Sequence, residues 1–292
     1  MTAPLLLPAK PALGPRTPDF DPALVAASAA NCLLLELETY PKPGLVSHVD
    51  SGSHDDMDAA TFRASAAAIE PFFGKLAEAG ADGAGMSRLR IIGLEAEAAM
   101  RAATAGVNTH RGAIFGLGLL CAAAGARAAG QVDRALPLGE LVVRLWARDI
   151  VEGPTLLRSH GSMARLRFGA GGARIEAGLG FPSVYGVALP ALRRARTVRP
   201  GDPEAARVEA CFALIAVLED TNLLHRGGSE GLHFAREAAR RFLAEGGVVG
   251  PGWRERARAV HDSFVASRLS PGGSADLLAM TLFVDLQERT RA

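Results

Sequence analysis

The chain has 292 residues, nearly half of them hydrophobic, enough for a sizeable core in one large domain or two small ones. Its 32 Lys and Arg against 31 Asp and Glu exclude a nucleic-acid-coating protein, whose footprint would be globally basic. A polyanionic ligand must therefore be met by a local group of cations.

The first stretch, "MTAPLLLPAKPALGPRTPDF", carries prolines at 4, 8, 11, 15 and 18 and only a three-residue apolar run, too short for the core of a signal peptide. Residues 1–20 are expected to form a mobile tail and 21–292 one all-helical domain in the cytoplasm. No apolar window approaches a membrane span. From Asp21 the pattern turns helical: Asp21 suits a cap, Pro22 the first helical position, and the run from Ala23 to Glu38 ends before Pro41. Apolar residues then recur every three to four positions near 58–79, 86–105, 111–129, 137–150, 186–196, 203–220, 230–245, 252–268 and 275–290, with Ala and Leu dominant. The one weak strand candidate is 164–176, "ARLRFGAGGARIE". The fold class is all-α, a compact single-domain bundle whose alanine- and glycine-rich faces permit close packing. Cys32, Cys121 and Cys211 each sit in such an apolar run and read as buried free thiols.

The unusual residues gather at the joints between helices: "YPKPGLVSHVDSGSHDDMD" (40–58), "GVNTHRG" (106–112), "EDTNLLHRGGSEG" (219–231) and "LSPGGSAD" (269–276), with a fifth, "GAGGARIEAGLGFP" (169–182), in the irregular middle. Glycine-rich turns entering helices expose backbone N–H groups and the positive end of the helix dipole, which suit phosphate; Ser229 and Ser274 also read as ordinary caps. Lys42, Arg111 and Arg226, each beside Gly or Pro, suggest an anion clamp. His110 and His225 precede the two arginines and read as structural. Asp55, Asp56 and Asp58 are three acids within four positions, more than one cap requires, and hard oxygen ligands so placed suit Mg²⁺ alongside substrate phosphates. Glu36 lies at helical spacing from the apolar positions Val25, Ala29, Cys32 and Leu33, so it is paired, desolvated or ligating; Glu38 has a similar spacing and competes for that role. Asp220 and Asn222 fit a Mg²⁺–phosphate site or a plain turn. No serine elbow, no Walker-type loop and no Cys–His motif is present.

Four of these joints, "PKPGLV" with "SGSHDDMD", "GVNTHRGAIFGLGLLCAA", "DTNLLHRGG" and "SPGGSADLLAMTLF", resemble the triphosphoribosyl-dephospho-CoA synthase family in order and spacing, from about Leu24 to Leu286. The resemblance implies an all-helical enzyme that takes ATP and 3′-dephospho-CoA, releases adenine, and joins the triphosphoribosyl group to the 2′-hydroxyl of the dephospho-CoA ribose. "PKPGLVSHVDSGSH" is similar to the malonate decarboxylase branch, where Ser47 stands in place of an Asp frequent in the citrate lyase branch; the product would then be the prosthetic-group precursor of the malonate decarboxylase acyl carrier protein. Phosphate and nucleotide contacts would fall to Lys42, Gly44, Asn108, Thr109, Arg111, Arg226, Gly227, Gly228 and Ser274. Mg²⁺ would fall to Asp55, Asp56, Asp58 and Asp220, and catalysis to Glu36 as general base with Asp56. The chain departs from the family at Ile175, where a glycine is frequent, so a glycine-only backbone is not expected there. Two other readings use the same residues: a Mg²⁺-dependent nucleotide or ADP-ribosyl hydrolase with water as acceptor, and a non-enzymatic helical partner of the acyl carrier subunit. Neither nucleic acid nor membrane is expected as a partner.

Overall fold

The computed structural model describes residues 20–154 and 171–289. The proline-rich start and most of the strand candidate lie outside them. Among the described residues there are eleven α-helices and no strand. They are α1 (Pro22–Leu37), α2 (Ala59–Ala81), α3 (Met86–Ala103), α4 (Arg111–Ala128), α5 (Leu138–Glu152), α6 (Gly172–Gly178), α7 (Leu189–Val198), α8 (Pro203–Val217), α9 (Thr221–Ala244), α10 (Trp253–Ala266) and α11 (Gly272–Arg289), with a π turn at Val184–Ala188 and a 3₁₀ turn at Gly247–Val249.

Local chemistry sets the helix starts. The Asp21 carboxylate accepts from the Ala23 amide at 2.8 Å with Pro22 at the first helical position, and Asp202 accepts from Ala205 at 3.0 Å ahead of Pro203. Two expectations change. The part of 164–176 that is described is helical from Gly172: "GARIEAG" has one β-branched residue and no alternation to hold a strand. The joint at 219–231 already contains helix: α9 starts at Thr221 and is broken only at Gly228 (φ 62°, ψ −159°), a conformation that a side chain opposes. Ile175 sits in ordinary helix.

Helix α4 is the centre. From Ala113 onward almost every residue of it is buried, because α2, α11, α5, α3 and α1 pack around it. Small residues make this possible. A Cβ on Gly80 would overlap the carbonyl of Ala122, and one on Gly125 the carbonyl of Ala77, so α2 and α4 touch backbone to backbone. Side chains such as Leu117, Leu120 and Ile69 are wholly enclosed, each burial contributing about 1.5–3 kcal/mol. One apolar core continues from Val25 in α1 to Val284 in α11. The three cysteines are buried and free, and burial pushes the Cys32 and Cys211 thiols up to about 12, which keeps them unreactive. No described helix is long and apolar enough to cross a membrane. With the core closed around α4, the polar joints are left at helix ends, where they meet.

Candidate active site

The first joint turns back on its own helix. Glu36 is in the last turn of α1, and burial distinguishes it from Glu38, which is exposed at the C-cap. Beyond the cis Tyr40–Pro41 bond the chain reverses, with the Leu45 amide donating to the Lys42 carbonyl at 3.3 Å. Gly44 takes φ +65°, and a Cβ there would overlap the Leu269 carbonyl. His261 Nδ1 holds the Lys42 carbonyl at 2.7 Å. The turn thus drives the Lys42 ammonium inward, where it donates to Glu36 Oε1, and both side chains are buried. The prolines and glycine therefore position a cation inside the protein, beside a carboxylate. Burial first raises the Glu36 pKa above the usual carboxylate range, while the Lys42 charge and hydrogen bond pull it back.

The glycine-rich joints do cradle anions, but the anions are the chain's own carboxylates. Asp220 caps α9: its Oδ1 accepts from the amides of Asn222 (2.9 Å) and Leu223 (3.4 Å). Its Oδ2 accepts from the amide of Ser274 at 2.9 Å and its hydroxyl at 3.1 Å. Ser274 is thus a donor in the first turn of α11 and not a cap, and Gly273 packs directly on the carboxylate. At the N-terminus of α4 the Ala113 amide donates to Asp276, and a Cβ on Gly112 would overlap Oδ2 of that carboxylate. Burial, then the neighbouring Glu36 and Asp220 carboxylates, raise Asp276 well above its ordinary value. Burial likewise raises Asp220. Three acids, two of them buried, thus influence one another here, and Lys42 pairs with Glu36. Sequence reasoning missed Asp276 although it lies in the quoted "SPGGSAD"; its signal was the pairing of "HRG" with "GGSAD", a helix N-terminus without a side chain facing an acid.

The other joints complete the rim. Arg226 ties two loops together, its Nη1 donating to the carbonyls of Ser53 (3.1 Å) and Arg268 (3.2 Å) while Nη2 lies 3.1 Å from His54 Nδ1. His54 Nε2 meets Ser270 Oγ at 2.9 Å, and Ser53 Oγ donates to the Leu269 carbonyl at 2.7 Å. Arg111, at the first position of α4, pairs with Glu97 at 3.1 Å. Asn108 is exposed and Thr109 half-buried. Gly227 packs on Leu269, and Gly228 forms the break in α9. The first, third and fourth joints are directly bonded, and the second joins them through Gly112 and Asp276.

The acidic run is spread out. Asp58 is the cap of α2, its Oδ1 accepting from the amide and hydroxyl of Thr61 at 2.8 Å each. Asp56 lies 3.5 Å from His54 Nδ1 and Asp55 3.9 Å from Arg268, both largely exposed. Asp220 has both oxygens occupied by donors. Among the described residues no three or more His, Cys, Asp or Glu come together to hold a metal ion. The donor set does not form a resident metal cage; the open carboxylates, Asp55 and Asp56, suit an ion that arrives on a phosphate. In the fifth joint, Arg174 donates to the carbonyls of Ile150, Val151, Gly153 and Pro154, closing the end of α5, and Glu176 accepts from Ser183. That joint is structural.

The motif order is decided by comparison with known proteins. The model of the ATP:dephospho-CoA triphosphoribosyl transferase family matches residues 22–292. The chain belongs to this family. It is 41% identical over 268 residues to the probable 2-(5″-triphosphoribosyl)-3′-dephosphocoenzyme-A synthase of Pseudomonas paraeruginosa PA7, covering 89% of each chain. It is 40% identical over 273 residues to the 2-(5″-triphosphoribosyl)-3′-dephosphocoenzyme-A synthase of Klebsiella pneumoniae, again covering 89% of each. A probable synthase of Vibrio cholerae is 39% identical over 275 residues, 90% of this chain and 88% of its own. No solved structure matches. The triphosphoribosyl transferase family thus spans all four site joints, and this member is a transferase.

Proposed function

We propose that the protein transfers the triphosphoribosyl group of ATP to 3′-dephospho-CoA, releasing adenine and making 2′-(5″-triphosphoribosyl)-3′-dephospho-CoA. The observation that carries this reading is the acid-rich centre of the Glu36–Lys42 pair, Asp220 and Asp276, at the meeting point of four joints that lie far apart in the chain. Displacing adenine from the ribose C1′ passes through an oxocarbenium-like state with positive charge on the sugar. A buried centre with more acid than base is complementary to that charge, in a setting where water does not screen it. Glu36, held by Lys42 and with a raised pKa, is the candidate base for the attacking hydroxyl. The triphosphate, which such a centre repels, lies on the rim toward Arg111 and Arg226, near the exposed Asn108 and half-buried Thr109 of the second joint. Asp55 and Asp56 would hold an Mg²⁺ ion that ATP brings on its phosphates, and such an ion would supply charge neutralisation there.

The turn at Ser47, whose hydroxyl accepts from the amides of Val49 (3.1 Å) and Asp50 (3.3 Å), is the position that favours the malonate decarboxylase branch, so the product is assigned to that enzyme's acyl carrier protein. The test is incubation with MgATP and dephospho-CoA, following adenine by chromatography and the adduct by mass. Adenine and an equimolar triphosphoribosyl adduct are expected. Adenine without adduct would mean hydrolysis, and neither product would overturn the reading.

A further inference from the structure

His110 is a buried imidazole that the site as described leaves unused. It stands at the N-cap of α4, between the half-buried Thr109 and the rim residue Arg111. Its ring packs edge-on against Phe62 of α2, with centroids 4.9 Å apart at 72°. Nδ1 lies 2.6 Å from Ser65 Oγ, and Thr109 Oγ donates to that same oxygen at 2.7 Å. The hydroxyls form a short chain: Thr109 donates a hydrogen bond to Ser65 Oγ, which leaves the Ser65 hydroxyl to donate to Nδ1. Nδ1 is then the acceptor and the ring proton stands on Nε2. Nε2 is buried and has no hydrogen-bond partner among the described residues. The residue is only 4% exposed.

An orphaned buried donor costs about 1–3 kcal/mol, so it persists where a bound group repays it. His110 opens the same helix start at which Gly112 packs on Asp276, so it borders the acid centre. We propose that His110 is the leaving-group residue of the transfer reaction, its Nε2–H donating a hydrogen bond to a ring nitrogen, N3 or N7, of the departing adenine, with Ser65 and Thr109 as the positioning residues that fix its tautomer. This rests on the proposed function.

Bond accounting supports a donor that keeps its proton. The C1′–N9 bond breaks with its electron pair going to the purine, and the C1′–O bond forms to the 2′-hydroxyl of dephospho-CoA. The hydroxyl proton passes to the base, and one proton is returned to the purine, so neutral adenine leaves. The charge that builds on the purine spreads over its ring nitrogens, where a neutral N–H in a dry pocket stabilises it. Burial, with Lys42 adding to it, pushes the His110 pKa down to about 3, so the ring is neutral at ordinary pH. A neutral histidine at a helix N-terminus acting as a hydrogen-bonding electrophile has precedent in isomerase chemistry.

The test pairs the wild type and His110 variants with ATP, 3-deaza-ATP and 7-deaza-ATP in single-turnover adenine-base release, with ¹⁵N NMR of the histidines in the unliganded protein. In the wild type one deaza analogue should react about 10²-fold more slowly than ATP, the effect of losing one transition-state donor. H110N keeps a partner for Ser65 but does not reach the Nε2 position; it should lower kcat by about the same factor, leave KM for ATP little changed, and treat ATP and both analogues alike. H110Q, whose amide reaches further, should recover part of the rate and of the discrimination. The NMR signal should show the neutral Nε2–H tautomer, and S65A should admit the Nδ1–H form. Undiminished discrimination in H110N, no discrimination in the wild type, or an Nδ1–H tautomer in the wild type would each overturn the proposal. Absence of any adenine release from wild type with ATP would instead overturn the proposed function, and NMR would still report the tautomer.

Discussion

Two centres at opposite ends of α11 gather carboxylates, and they balance that charge in opposite ways. Asp285, in α11, is fully enclosed, and three arginines converge on it: Arg193 at 3.2 Å, Arg196 at 2.8 Å and Arg289 at 2.9 Å. At the other end of the same helix, Asp276 feels the Glu36 and Asp220 carboxylates, and the lysine there, Lys42, is paired with Glu36. The first centre is over-supplied with cations and joins α7 to α11. The second lacks them, and such a shortfall persists where a ligand or a developing charge supplies the balance. One helix therefore carries a structural acid and the acid that the proposed function assigns to the site, and the number of cationic partners distinguishes them.

The comparison is broken most directly at Lys42. Replacing it with Met leaves Glu36 buried beside two other acids without a cation, and loss of one partner of a buried pair costs about 3–5 kcal/mol. Adenine release should vanish and the urea midpoint should fall sharply. The double variant Lys42→Met with Glu36→Gln should recover most of the stability and none of the activity, which separates folding from chemistry. At the other centre, Asp285→Asn should cost about 2 kcal/mol, in the range of hydrogen bonds to charged groups. Turnover per folded molecule should stay at the wild-type value. A loss of turnover there without a loss of stability would erase the distinction between the centres.

The next effect is confined to the chemistry. Gly112→Ala should push the Asp276 carboxylate off the N-terminus of α4 and lower kcat by tenfold or more, since misplacement by about 1 Å costs up to 10²-fold. Alanine is also the better helix former by about 1 kcal/mol, so the melting temperature should change little. Activity and stability should part company here, in the direction opposite to Asp285→Asn.

Asp276 also sets a pH dependence. Its folded pKa lies above the unfolded value through burial and the neighbouring acids. A raised folded pKa contributes stability that is fully present below the unfolded value, near about 4, and is lost as pH rises through the folded value. Asp276→Asn stays neutral and removes that dependence. Denaturation curves should coincide with wild type at acid pH and show the variant more stable at alkaline pH. A gap that widens toward acid pH would mean that the folded pKa is depressed instead.

The helices were legible because spacing of Ala and Leu, and caps such as Asp21 with Pro22, are local signals. The missed helical turn at Thr221–Gly227 was hidden by polar residues and by the glycines that end it, whose local reading is a loop. The joints were legible as places where ionisable residues concentrate, and Glu36 stood out because its neighbours at helical spacing are apolar. Partners were not legible. Whether Lys42 faces solvent or Glu36 depends on the turn at Gly44 and on its contacts with Leu269 and His261, and whether a glycine-rich turn binds phosphate or Asp220 depends on which joint folds against it. Those choices belong to packing between distant segments. The same reason conceals His110, whose burial is supplied by Phe62 and Ser65 of another helix.

The acidic run at 55–58 gives the smallest effects and sharpens the comparison by adding carboxylates that are not buried at all. Asp58 spends its charge locally: hydrogen bonds from the Thr61 amide and hydroxyl hold its pKa below the usual carboxylate range. Asn caps a helix about as well as Asp, so Asp58→Asn should leave melting temperature, activity and Mg²⁺ dependence unchanged, while Asp58→Ala should lower the melting temperature slightly. Asp55 and Asp56 cap nothing and lie open to solvent beside Arg268 and His54. An amide oxygen is a weaker match than a carboxylate to a hard cation, so Asp55→Asn or Asp56→Asn should raise the Mg²⁺ concentration needed for half-maximal turnover at unchanged melting temperature, and excess Mg²⁺ should restore the rate. A wild-type Mg²⁺ titration in both variants would remove these two residues from the ion, leaving the triphosphate to bind it without help from this run.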